Sequence, residues 1–101
     1  MRVIISQTVR NDIREIAKYI SQDSQYYAEK TSDAIYDKID LLKSGIYIGR
    51  KVPELNNENI RELIYKDYRI IFKIQSGTAY IQTVIHGARE FKVVYNNKFN
   101  F

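Results

Sequence analysis

Cysteine is absent from the 101 residues, which excludes disulfide staples and thiolate metal sites. The absence fits an intracellular chain, and a cytoplasmic location is expected. Histidine occurs once, at His86, and no carboxylate stands at a spacing that would complete a metal site with it. There is no phosphate-cradling glycine loop and no Ser/His/Asp order. Glu62 alternates with Arg61 and Leu63 along a strand while Glu54 lies across a loop, so no carboxylate pair reads as an acid–base couple. Long apolar runs are also missing. Met1-Arg2-Val3-Ile4-Ile5-Ser6 is too short for a signal peptide, and nothing later approaches membrane-spanning length. No cofactor, metal, membrane or small-molecule substrate is expected.

What is present describes an ordinary globular chain, 45% hydrophobic and 28% charged, which argues against disorder. Its length suits one domain over residues 1–101 with a single modest core. Charge divides unevenly. Residues 1–44 hold seven basic and seven acidic side chains, whereas residues 45–101 hold nine basic and five acidic, which accounts for the whole +4. A basic half can bind nucleic acid, bind an acidic protein segment, or keep the chain soluble.

Arg2 to Ser6 reads as a first strand, with Val3, Ile4 and Ile5 β-branched. Ser6-Gln7-Thr8 offers helix caps, and Asn11-Asp12 place oxygens in an opening turn. Ile13, Ile16, Ala17 and Ile20 then recur at helical spacing. Asp23-Ser24 interrupts this helix and caps a longer one, along which Ala28, Thr31, Ile35, Ile39 and Leu42 step by three or four; Gly45 is placed to end it. Two glycines and the only proline make 45–55 a structured connection, and Asn56-Asn57-Glu58-Asn59 a polar turn. Three short β-rich segments follow, Ile60–Tyr65, Tyr68–Ile74 and Ala79–Arg89, separated by Lys66-Asp67 and Gln75-Ser76-Gly77-Thr78. The tail from Glu90 to Phe101 fits either period: Phe91, Val94 and Tyr95 are helically spaced, whereas Phe91, Val93 and Tyr95 alternate. The order is β-α-α-β-β-β plus a tail, an α+β chain with a helical hairpin on one face of a twisted antiparallel sheet.

Within the middle strand Tyr68, Ile70, Phe72 and Ile74 share one face, and Arg69, Ile71 and Lys73 the other. The cations Arg61, Lys66, Arg69, Lys73, Arg89 and Lys92, interleaved with Tyr65, Tyr68 and Tyr95, make the far side the expected working surface. An arginine on strand backbone is a preorganised two-pronged donor for phosphate or carboxylate. Two uses stay open for Arg69: a charge-stabilising donor, or a partner of Glu62 across the hairpin. Tyr95 is open between proton transfer and packing, and His86 between acid–base and structural roles.

In order and spacing these elements resemble the RelE/ParE superfamily of bacterial toxins from type II toxin–antitoxin modules. The matching segments are Asp12-Ile13…Ile16…Tyr19-Ile20, Gly49-Arg50…Val52-Pro53-Glu54, Ile60-Arg61-Glu62-Leu63, Tyr68-Arg69-Ile70-Ile71-Phe72 and Val84-Ile85-His86-Gly87-Ala88-Arg89. The resemblance implies the same hairpin-on-sheet fold and a growth inhibitor neutralised by a cognate acidic antitoxin. It also implies one of two mechanisms. RelE-like members are metal-independent, ribosome-dependent endoribonucleases acting on mRNA, which would make Arg69, Arg89 and Tyr95 catalytic. The lysines such members carry on the preceding strand are replaced here by Ile60 and Glu62, with Arg61 and Lys66 as positional substitutes. ParE-like members bind DNA gyrase and lack the nuclease set. The long second helix and the Gly-Arg…Val-Pro-Glu…Arg-Glu-Leu pattern lie nearer that branch. On this reading Arg61, Lys66, Tyr68, Lys73, His86 and Lys92 contact the target.

Overall fold

Two serines set the helices. The Ser6 hydroxyl accepts the Val9 N–H at 3.2 Å and opens α1, Gln7–Ser21. Ser24 accepts the Tyr27 N–H at 3.2 Å and opens α2, Gln25–Asp40. Each satisfies a backbone donor that a helix start leaves orphaned, an interaction worth about 1 kcal/mol. A tighter turn, Leu41–Ser44, continues α2 until Gly45, at φ 72°, donates its N–H to the Leu42 carbonyl and ends it. The structure, a computed structural model, describes residues 1–87. Among these residues no helix is long and apolar enough to cross a membrane.

β3 (Ile60–Tyr65), β4 (Tyr68–Gln75) and β5 (Thr78–His86) form the expected antiparallel meander. Ser76 and Gly77 both have positive φ, 51° and 74°, the turn twist that suits a two-residue hairpin. Among the described residues the sheet is mixed, however, where an antiparallel one was expected. β1 (Arg2–Ile5) lies parallel to β5, with Arg2 opposite Thr78 and Ile5 opposite Ile81. The strand order is β1-β5-β4-β3-β2, with β2 only Arg50–Lys51. Parallel pairing needs a long crossover, and the whole helical hairpin between β1 and the meander supplies one.

The hairpin buries Val9, Ile13, Ile35, Ile39 and Leu42 against Leu63, Ile70, Phe72, Ala79, Ile81 and Val84. Each such side chain contributes roughly 1.5–3 kcal/mol on full burial, so the helices are held by the sheet more than by their own propensity. Asp12 ties this layer to the sheet by polar contacts. β5 carries an irregularity opposite Ile71/Phe72, where Thr83 pairs with Ile71 and Ile81 with Phe72, leaving Gln82 extra. Thr83 beside it donates through Oγ1 to buried Asp12 at 2.6 Å, and the Val84 N–H donates to the same oxygen at 3.3 Å.

The far side of the sheet departs from the open platform expected of it. The 45–59 connection folds back over it, and Val52, Ile60, Ile71 and Ile85, with Leu55, form a second apolar cluster. Ile71 and Ile85 are apolar on a face that would otherwise meet water, which is the physical reason it is covered. Gly49 makes the approach possible. Its φ is 67°, and a Cβ there would stand 2.4 Å from the Glu62 carbonyl oxygen.

Candidate functional site

Where β3 turns into β4, the far side opens into a groove lined by Arg50, Pro53, Glu54, Ile64, Lys66, Asp67, Tyr68, Arg69, His86 and Gly87. Local chemistry shapes its rim. Lys66 takes the left-handed conformation, φ 50°, and Asp67 accepts the Gly87 N–H, which ties the β3–β4 turn to the end of β5. Tyr68 sits directly opposite His86 in the ladder, and the two rings meet edge-on with centroids 5.5 Å apart. Burial pushes the Tyr68 hydroxyl above its ordinary pKa, with the charges of Asp67 and Tyr19 adding to the effect. The Lys66 ammonium stands 5.6 Å from the centroid of the Tyr65 ring.

Arg69 forms the floor, and its guanidinium is engaged on two sides. Nε donates to Glu62 at 2.6 Å, while Nη1 and Nη2 donate to the two oxygens of Glu54 at 2.7 and 2.8 Å. Glu62 has no exposed side-chain surface and also accepts from Arg50, at 2.8 Å. The hydrogen bonds that Arg69 donates to Glu54, joined by those to Glu62 and the charges of both carboxylates, hold the Arg69 pKa above its already high ordinary value against the opposing effect of burial. Reciprocally, the hydrogen bonds from Arg69 draw the Glu54 carboxyl below its ordinary value. Arg50, Lys66 and Arg69 are thus balanced one for one by Glu54, Glu62 and Asp67. Among the described residues the groove is close to neutral, and the guanidinium is held in a mostly buried network.

The groove gathers Lys66, Tyr68, Arg69 and His86 of the residues singled out in the sequence. Lys73 lies further along β4, opposite Ile60, and Arg61 is on the other face of the sheet. Alternation is the reason: Arg61 pairs with Phe72, so it leaves Arg69's side, and its guanidinium reaches the Gly49 and Glu58 carbonyls at the sheet edge. A shared cationic face of Arg61 and Arg69 does not form. Arg89, Lys92 and Tyr95 lie outside the described residues. Sequence reasoning missed Arg50 and Glu54 as partners of the network. Glu62 was legible, because the Tyr65–Tyr68 hairpin register brings it near Arg69 on one face. Glu54 reaches Arg69 only through the fold of the connection, which leaves no periodic trace.

Comparison with known proteins adds a family to this geometry. Residues 3–91 match the family described as ParE toxin of type II toxin-antitoxin system, parDE. No curated protein matches the chain. Among solved structures, the chromosomal ParDE toxin–antitoxin system from P. aeruginosa is similar at 15% identity and a TM-score of 0.68, covering 85% of this chain and 95% of that one. A chain of the toxin–antitoxin complex RelBE2 from Mycobacterium tuberculosis is similar at 19% identity and a TM-score of 0.56, covering 84% of this chain and 95% of that one. At these identities the two structures speak to the fold alone.

Proposed function

This chain belongs to the ParE toxin family of type II toxin–antitoxin systems, and from that premise we propose that it stops growth by binding DNA gyrase. The observation that carries this reading is the state of Arg69. A donor meant for charge developing on phosphoryl oxygens must be free to meet them. Here Nε, Nη1 and Nη2 are all bound to carboxylates of the chain itself. On β3 the side chains sharing its face are Ile60, Glu62 and Ile64, none of them a cation. The groove is better suited to contact than to phosphoryl chemistry. Exposed Tyr19, Tyr26 and Tyr27 on the helical hairpin offer aromatic surface of the kind that anchors protein interfaces.

The partner that restrains the toxin is, on this reading, a cognate antitoxin in the cytoplasm. An acidic antitoxin segment suits the excess of cations in residues 45–101. A paired assay tests the mechanism. Purified protein at stoichiometric excess is expected to block gyrase supercoiling and to leave translated messages intact. Unimpaired supercoiling together with codon-phased cuts in translated mRNA, lost in Arg89→Ala, would replace this reading with a ribonuclease using Arg69, Arg89 and Tyr95.

A further inference from the structure

The two carboxylates on Arg69 are not equivalent. Glu62 is wholly buried and is held by Arg50 as well. Glu54 has a side chain 34% exposed, lies on the 45–59 connection, and takes its hydrogen bonds from Arg69 at the groove floor. The network needs an anion on Nη1 and Nη2, because Arg69 is mostly buried and an unpaired charge there is costly. Nothing in the geometry requires that the anion come from Glu54. A carboxylate from another chain would restore the same two hydrogen bonds and the same charge balance.

We propose that Arg69 is the floor of a carboxylate-exchange site. An acidic side chain of a partner's peptide segment enters the groove, replaces Glu54 on Nη1 and Nη2, and loosens the 53–55 turn that carries Glu54. The proposal rests on the reading of the antitoxin as an acidic segment. Three features favour a carboxylate over a phosphate. Glu54 itself demonstrates the bidentate fit. A singly charged replacement preserves neutrality, whereas a phosphate dianion adds charge beside Glu62, which is buried and fixed 2.6 Å from Nε. Ile64, 40% exposed on the groove wall, gives apolar contact that a peptide uses and inorganic phosphate does not. Lys66 on the groove rim suits a further acidic residue beside it.

The probe is a deca-glutamate peptide, titrated into the intact protein while the Arg69 Nε–H resonance and amide exchange are followed. In the unsubstituted protein the peptide is expected to shift that resonance and to speed exchange at Leu55 and Asn56, whose N–H groups donate to the Val52 carbonyl. Glu54→Gln removes the internal competitor. It is expected to bind the peptide about tenfold tighter, the factor by which a competitor occupying the site nine-tenths of the time weakens a ligand. Asp67→Asn adds the same unit of positive charge on the same groove and is expected to leave affinity within about twofold, since it touches no bidentate site. Equal tightening in both variants, or peptide binding that leaves the Arg69 resonance unmoved, overturns the proposal. So does a response to inorganic phosphate with none to the peptide. The unsubstituted protein alone decides the matter if Glu54→Gln does not fold. A negative supercoiling assay leaves this test standing, because neither readout involves gyrase.

Discussion

Glu62 and Arg69 stand on adjacent strands, not directly opposite each other, and are joined at 2.6 Å with the carboxylate wholly buried. Glu62 also holds Arg50 of β2, so a single anion fastens three strands. Removing one member of a buried charge group leaves the others unpaired, at a cost of about 3–5 kcal/mol. Glu62→Gln is therefore expected to lose about 3 kcal/mol and to melt roughly 10–20 °C lower, by the usual conversion for a domain of this size. Thermal unfolding followed by circular dichroism reads it. A loss under about 1 kcal/mol would rank the network with solvent-screened surface pairs.

The pH dependence follows from Glu54. The hydrogen bonds from Arg69 lower its pKa in the folded chain below the ordinary 4.5. A depressed carboxyl contributes stability that is fully present above its unfolded value and is lost as pH falls through the folded one. Melting temperature is expected to drop as the solution is acidified below 4.5, and to drop less steeply in Glu54→Gln. Tyr68 acts at the other end. Its raised pKa favours the neutral hydroxyl, so its contribution is whole below pH 10 and disappears as pH rises through the folded value. Parallel acid limbs in the two proteins would show that Glu54 carries no linkage.

These features were legible to different degrees for physical reasons. The helical hairpin was readable because Ile13–Ile16 and Ile35–Ile39–Leu42 repeat at the period of a helix, with Ser6 and Ser24 marking its starts. The meander was readable because alternation and turn residues are local signals. The pairing of β1 with β5 joins residues more than seventy positions apart, such as Arg2 and Thr78, and long-range pairing leaves no local trace. The covered far side was missed for a similar reason. Ile71 shares its face with Arg69 and Lys73 in the sequence pattern, and only the fold of the connection brings Val52 and Leu55 over it. The site was half legible: Arg69 and Glu62 announce each other through hairpin register, but Glu54 and Arg50 arrive by an irregular connection.

Asp12 of α1 and Thr83 of β5 offer a test of the polar tie between layers. Thr83→Val keeps the side-chain shape but removes the hydroxyl that donates to Asp12 at 2.6 Å. A buried acceptor that loses a donor costs about 1–3 kcal/mol. Thr83→Ser keeps the donor and is expected to cost less than half as much. Amide exchange at Val84, which donates to the same oxygen, is expected to accelerate in the valine variant. Equal losses in the two variants would assign the effect to the methyl group and its packing.

Gly49 and Gly77 separate backbone strain from steric conflict. Both have positive φ, 67° and 74°, so an alanine at either is strained by about 1 kcal/mol. Only Gly49 also faces an obstacle: its Cβ would meet the Glu62 carbonyl oxygen at 2.4 Å and the Phe72 ring at 3.3 Å, whereas no atom lies within 4 Å at Gly77. Backbone oxygen cannot swing aside, so the 49–51 segment must move. Gly49→Ala is expected to cost at least about 2 kcal/mol, and Gly77→Ala about 1 kcal/mol. Because that movement carries Arg50 away from Glu62, Gly49→Ala combined with Arg50→Ala should cost less than the sum of the two single losses. Strict additivity in the double-mutant cycle would separate the approach of the connection from the ion network on which the groove is built.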